Sequence, residues 1–278
     1  LGFDLELEWI MNDLKTRGLV LLGCGKMGSA MLKGWLDSGV PAASVTVLDP
    51  YPSDWLKGTG VNLNVDLPAN PAIVLVAVKP QMMGDALPSL QALGNGDTVF
   101  LSVAAGITIK TYEAMLGANT PIIRAMPNTP AAIGRGITGI VGNAVATPAH
   151  VDLADQLLQA VGQVVRLEDE GQIRALTAVS GCGPAYVFHL IEAMAAAGEA
   201  AGLSPEMSLQ LAKATVGGAG ALAENADETP TQLRINVTSP NGVTAEALRV
   251  LMNEEDGFPP LLDRAIKAAV QRDAELAE

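Results

Sequence analysis

The sequence predicts two architectures in series: an α/β N-terminal part built on a parallel sheet, and an all-α C-terminal part. Three observations carry this. Short apolar runs, several rich in β-branched residues, alternate with helically spaced segments between Leu19 and Val141. No convincing strand remains after Asp169. The 278 residues also suit two domains of ordinary size.

The elements follow in order. Residues 1–17 form a peripheral arm, with Trp9, Ile10 and Leu14 marking a short surface helix or a disordered lead. The run 19–22 reads as a buried strand, and 27–36 as a helix with Gly39 as its stop. Strands follow at 45–48, 73–78, 98–102, 122–125 and 137–141. Helical spacing fills 84–93 and 109–116. Near-continuous apolar strands alternating with helices imply a parallel sheet covered on both faces. Near Leu167 the character changes. Segments 172–179, 186–201, 205–224, 244–253 and 259–276 all read as helices. Ser204-Pro205-Glu206 supplies a cap, a proline at the first helical position and an acid in the first turn. The expected organisation is therefore an arm over 1–17, an α/β domain over 18–168 and a helical domain over 169–278.

Composition narrows the function. Apolar residues make up 49% and charged residues 17%, which excludes a disordered chain. The longest pure apolar run, 72–78, is far too short to span a bilayer. Asp4, Glu6 and Glu8 stand where a signal peptide wants positive charge, so a cytoplasmic location is expected. The net charge of −13 argues against nucleic acid and anionic membrane as partners. Cys24 and Cys182 have no framework spacing, which suits a reducing compartment. With only His150 and His189 beside them, no familiar zinc spacing exists, and no metal is expected.

Six segments are able to carry chemistry. Gly23-Cys24-Gly25-Lys26-Met27-Gly28 is a G-x-G-x-x-G that follows a strand and opens a helix. Gly23 serves the tight turn, Gly25 the close approach of a pyrophosphate, and Gly28 the packing of helix on strand. The helix start offers free N–H groups and a positive dipole end. The competing reading is a glycine-rich turn without a ligand. Asp49 ends the second strand, 21 residues after Gly28, where an acid accepts hydrogen bonds from ribose hydroxyls and repels a 2′-phosphate. It is otherwise a turn residue before Pro50. Ala77-Val78-Lys79-Pro80 lies at the carboxyl edge of the third strand. There Lys79 is either an acid–base group or, the reading preferred here, a shaper of a loop beside the cofactor.

Met126-Pro127-Asn128-Thr129-Pro130 ends another strand, and Asn128 offers an amide to orient a ligand unless the segment is a plain turn. Ser180-Gly181-Cys182-Gly183-Pro184-Ala185-Tyr186 interrupts a helical region with glycines and a proline. Cys182 there has no close base to lower its pKa and reads as a small buried residue. Ser239-Pro240-Asn241-Gly242-Val243-Thr244 puts hydroxyls, a glycine and a helix start in one turn, an anion cradle suited to a carboxylate. The plainer alternative is that Thr244 is only the N-cap.

Taken together these segments, with Arg124 and Ala125 before Met126 and Gln81 after Pro80, resemble the pyrroline-5-carboxylate reductases from Leu19 to near the C-terminus. The resemblance implies a Rossmann-like dinucleotide-binding domain followed by an all-α dimerisation domain. It implies hydride transfer from NADP- or NAD-type cofactor to the C=N carbon of Δ1-pyrroline-5-carboxylate, giving L-proline. Cofactor binding would fall to Gly23, Gly25, Lys26, Met27, Gly28, Asp49, Ala77, Val78, Lys79, Pro80, Met126, Pro127 and Asn128. Substrate binding would fall to Ser239, Asn241, Gly242, Val243 and Thr244, with Thr244 and Ser239 in the catalytic role. It also implies a homodimer with exchanged helices, and in some members a decamer. Three positions depart from the family pattern: Cys182 where serine is common, Asn241 where glycine is commonest, and Asp49 where NADPH users carry hydroxyl or arginine side chains. The alternatives are another imine reductase, a β-hydroxyacid dehydrogenase and a non-catalytic nicotinamide sensor. The second lacks its lysine across 185–201, and the third has no use for a second anion site.

Overall fold

A computed structural model describes residues 13–276. Residues 13–17 are helical, and Leu14 is fully buried in the core beside the first strand. This corrects the expectation of a surface position for Leu14; Trp9 and Ile10 lie outside the described residues. Arg17 holds the turn in place, donating to the carbonyls of Asn70 (3.2 Å), Pro71 (3.1 Å) and Asp97 (3.3 Å).

The sheet has eight strands: β1 (Leu19–Leu22), β2 (Val45–Leu48), β3 (Asn62–Leu63), β4 (Ile73–Val76), β5 (Val99–Ser102), β6 (Ile122–Met126), β7 (Gly136–Gly142) and β8 (Gly162–Arg166). Their order is β3-β2-β1-β4-β5-β6-β7-β8. The first six run parallel in the doubly wound order of dinucleotide-binding sheets. β1, β4 and β5 are buried at every position, which is what continuous apolar runs such as Ile73-Val74-Leu75-Val76 require.

The expected all-parallel sheet is corrected at one edge. β7 runs antiparallel to β6, and β8 pairs parallel with β7. The link from β6 to β7 holds only a short 3₁₀ turn, Thr129–Ile133, which is too short for a crossover, so the chain folds back.

Helices α1 (Lys26–Asp37), α2 (Asp54–Lys57), α3 (Met83–Ala86), α4 (Ile109–Leu116) and α5 (Pro148–Gln159) cover the sheet. α1 buries Met31, Leu32 and Trp35, and the Trp35 indole N–H donates to the Leu157 carbonyl at 2.8 Å. Burial of three such side chains contributes about 1.5–3 kcal/mol each. The helix expected over 84–93 stops at Ala86 and continues as a 3₁₀ turn, Leu87–Leu93. Pro88 has no N–H to give and clashes with the preceding turn.

The chain divides into two compact units at Gly181/Cys182, with the stretch from Arg272 counted in the first. The first unit therefore also holds α6 (Gln172–Leu176), which runs into a π-helical turn, Thr177–Gly181. The second is built from α7 (Gly183–Ala200), α8 (Pro205–Asn225), α9 (Pro230–Asn236), α10 (Val243–Leu251) and most of α11 (Phe258–Leu276). α7 and α8 pair through the Ala201–Ser204 turn, where Gly202 adopts φ +103°. Ser204 accepts from the Met207 N–H, as its cap position demands. Among the described residues of this unit, the buried side chains are Ala195, Ser208 and Ala212. Phe188, Leu211, Leu222, Ile235, Val250 and Leu261 all stand exposed. Among the described residues no helix is long and apolar enough to cross a membrane.

Candidate functional site

The sheet unit presents its site at the carboxyl ends of β1, β2 and β4, around the switch in strand order. Gly23 turns the chain out of β1 at φ +87°, and its N–H donates to the Leu48 carbonyl at 2.8 Å. A side chain on Gly23 would strike Val78 and the Ala77 carbonyl. A side chain on Gly28 would strike the Gly23 carbonyl. Gly25, by contrast, has open space where a side chain would stand. It is the N-cap of α1 and makes no side-chain cap, so the first-turn N–H groups of Lys26, Met27 and Gly28 point into the opening. Two glycines enforced by packing and one facing open space form the cradle that a dinucleotide pyrophosphate needs. A nicotinamide dinucleotide fits these residues.

Asp49 leaves β2 against this loop. One carboxylate oxygen accepts the Cys24 N–H at 2.7 Å and the other the Tyr51 N–H at 2.8 Å. Burial, and then the Asp49 charge, push the Cys24 thiol up to about 11, so it stays protonated and takes no nucleophilic part.

Ala77 continues β4 by donating to the Leu22 carbonyl at 2.8 Å. Ala77 and Val78 wall the loop beside Gly23. Lys79 is exposed, extended (φ −64°, ψ 146°), and precedes the Pro80–Met82 turn. Its ammonium has no ion-pair partner among the described residues.

Met126 ends β6. Asn128 is buried and its amide is engaged on both sides. It accepts the Ile137 N–H at 3.0 Å and donates to the Ser180 carbonyl at 3.1 Å. The loop is thereby fastened to the π-helical turn, where a side chain on Gly181 would sit 3.6 Å from the Met126 methyl carbon. Short π segments are frequent at functional sites. Upstream, buried Arg124 pairs with Glu170 at 2.6 Å, and the same Glu170 oxygen accepts the Ile109 N–H at 2.9 Å. Glu170 belongs to none of the six segments above. Its signal was an arginine inside an apolar strand, which demands an acid from elsewhere.

The helical unit carries the second cradle. Ser239, Pro240, Asn241 and Gly242 form a turn closed by the Gly242 N–H to the Ser239 carbonyl at 3.0 Å. Asn241 adopts φ +57°, the left-handed conformation that asparagine tolerates best after glycine. A side chain on Gly242 would strike the Ser239 hydroxyl. Gly242, not Thr244, is the N-cap of α10, and it makes no side-chain cap. This overturns the plainer reading of Thr244. Its hydroxyl and that of Ser239 flank an uncapped helix start, and neither has a hydrogen-bond partner among the described residues. Val243 between them is almost fully exposed. Hydroxyl donors, free N–H groups and a positive dipole end are groups that can receive a small carboxylate. Among the described residues, no group of three or more His, Cys, Asp or Glu side chains is placed to hold a metal ion.

Residues 170–276 match the family described as pyrroline-5-carboxylate reductase dimerisation. Residues 18–106 match one described as NADP oxidoreductase, coenzyme F420-dependent. Over 271 residues the chain is 40% identical to the pyrroline-5-carboxylate reductase of Pseudomonas aeruginosa, covering 95% of this chain and 98% of that one. The chain belongs to the pyrroline-5-carboxylate reductase family. It is likewise 36% identical to the pyrroline-5-carboxylate reductase of Pisum sativum, covering 98% of this chain and all of that one. The solved reductase of Coxiella burnetii aligns with a TM-score of 0.89 at 33% identity, covering 95% and 99% of the two chains. The Plasmodium falciparum pyrroline carboxylate reductase, solved with NADP bound, aligns at 0.79 and 28% identity, covering 94% and 98%. As a member of this reductase family, the chain uses an NAD(P)-type cofactor. Of the three departures, Asn241 is explained by its positive φ. Cys182 is half-buried just before α7, where burial and this neighbour raise the Tyr186 phenol above its ordinary value.

Proposed function

We infer that this chain reduces Δ1-pyrroline-5-carboxylate to L-proline in the cytoplasm, the reduced nicotinamide giving a hydride to the ring C=N carbon. The observation that carries the reading is the uncapped start of α10 with the Ser239 and Thr244 hydroxyls beside it. It is a second anion site on a chain whose glycine loop already suits a pyrophosphate. In this reading the N–H groups of Val243 and Thr244 and the Ser239 hydroxyl hold the substrate carboxylate. Thr244 lies in the first turn and orients the imine nitrogen by hydrogen bonding. A threonine hydroxyl is a poor acid at neutral pH, so the imine enters protonated or takes its proton from water relayed through Thr244. With a reduced nicotinamide bound, hydride delivery to the iminium carbon would give a neutral secondary amine, and the chain's part is to hold the ring for it. Catalysis rests on holding two carbons together, and the cofactor supplies the reducing electrons.

The proposed assembly is a homodimer with exchanged helices, the unit from which a higher assembly such as a decamer would be built. Its support is the helical unit's near-absence of a core of its own, set against its many exposed apolar side chains.

The test is 1-pyrroline, the same ring imine without the carboxylate. Its kcat/KM is expected to fall at least ~100-fold below that of pyrroline-5-carboxylate, because a desolvated carboxylate with charge-assisted bonds is worth about 3 kcal/mol. Equal efficiency on the two imines would remove the cradle from the reaction.

A further inference from the structure

We propose that this chain selects NADH over NADPH, and that Asn64 is the positioning residue that makes it do so. The inference rests on the nicotinamide reading above but not on the identity of the imine.

Asn64 follows β3 in the left-handed region, at φ +51°. Its own N–H donates to the Val47 carbonyl at 2.8 Å, which fixes it beside the end of β2. Its amide then closes a two-bond ring with the main chain of Asp49. The side-chain oxygen accepts the Asp49 N–H at 2.9 Å, and the side-chain nitrogen donates to the Asp49 carbonyl at 2.8 Å. Asp49 is thereby held by its backbone as well as by its carboxylate, which spans the Cys24 and Tyr51 N–H groups.

A free loop end would let an acid swing aside and admit a 2′-phosphate. This acid has no such freedom. Each carboxylate oxygen spends one lone pair on a backbone N–H and keeps another for a ribose hydroxyl. A 2′-phosphate brought to the same place meets a fixed like charge. Nor is a neutralising base at hand after β2. From Pro50 to Asn64 the sole base is Lys57, and its ammonium is paired with Asp54 at 2.9 Å. Lys26, the first residue of α1, is the base within the glycine loop itself, and its contribution is tested separately below.

The experiment is calorimetric titration of the full chain with NADH and with NADPH, without substrate. NADH is expected to bind at least ~10-fold more tightly. In Asp49→Asn the ratio falls toward one, through tighter NADPH and weaker NADH. Asn64→Gly tolerates the positive φ but lacks the amide, and it is expected to lower the ratio several-fold with Asp49 intact. Circular dichroism of each variant separates this from unfolding. Wild type binding NADPH as tightly as NADH overturns the proposal, and a NADPH preference abolished by Lys26→Gln would place the discriminating charge there instead. An unchanged ratio in Asn64→Gly, with a shifted ratio in Asp49→Asn, removes Asn64 from the selection. Binding of neither dinucleotide overturns the nicotinamide reading beneath both. Preferential NADH binding without turnover of pyrroline-5-carboxylate leaves this inference standing and overturns the proposed reaction.

Discussion

Thr244 shows how a residue's meaning depends on one neighbour. Read along the chain, it fits either a helix cap or a ligand for substrate. The structure gives the cap position to Gly242, which frees the Thr244 hydroxyl. Thr244→Ala is therefore expected to lower kcat by about 10- to 100-fold, the worth of one hydrogen bond to a charged group. The Kd for the reduced nicotinamide, measured by titration, stays within about twofold of wild type. A kcat unchanged by the substitution would take Thr244 out of the mechanism. Asn128 runs the other way. The sequence offered its amide to a ligand, but the fold uses both ends of it, and each of the two backbone groups it satisfies would cost about 1–3 kcal/mol if left unpaired. Asn64 had no signal beyond the tolerance of asparagine for positive φ, because its partner Asp49 lies on a different strand end.

At the scale of elements, the sequence was most legible where a strand is buried on both faces. β1, β2 and β4 begin at 19, 45 and 73, the residues where the sequence predicts their strands to start. β8 (Gly-Gln-Val-Val-Arg) was missed because an edge strand half open to solvent has no continuous apolar run, and β3 because two residues make no pattern. α5 and α9 carry start signals of their own in the sequence. Thr147-Pro148 and Thr229-Pro230 repeat the cap-and-proline signal of Ser204-Pro205. The start of α5 also carries a pH dependence. Thr147 accepts the His150 N–H, and the His150 Nδ1 accepts the Thr147 N–H at 3.2 Å, which requires that nitrogen to be unprotonated. Burial, with Arg17 nearby and Asp97 opposing, lowers the His150 pKa below its ordinary 6.5. The folded state then binds fewer protons than the unfolded one. This contribution is complete above about pH 6.5 and is lost as pH falls through the folded value. The Tm of wild type is expected to drop more between neutral and mildly acid pH than that of His150→Gln, which keeps a capping acceptor that does not titrate. Parallel Tm profiles would show that the capping box does not sense pH.

The whole molecule pairs a sheet unit with a dense core and a helical unit that buries almost nothing by itself. Among the described residues, Phe188, Leu211, Leu222 and Ile235 all stand exposed on α7 to α9. Light scattering is therefore expected to return at least twice the chain mass at micromolar concentration, and a stable monomer would contradict the proposed dimer. Composition and periodicity gave the two-part plan, but the antiparallel edge and the coreless helical unit are properties of packing between distant segments, which a linear pattern does not record. The reaction is tested most directly by following loss of reduced-nicotinamide absorbance with pyrroline-5-carboxylate while proline is quantified. The account predicts one proline formed for each reduced nicotinamide consumed. Absence of oxidation with both NADH and NADPH, in a folded and oligomeric sample, would contradict it.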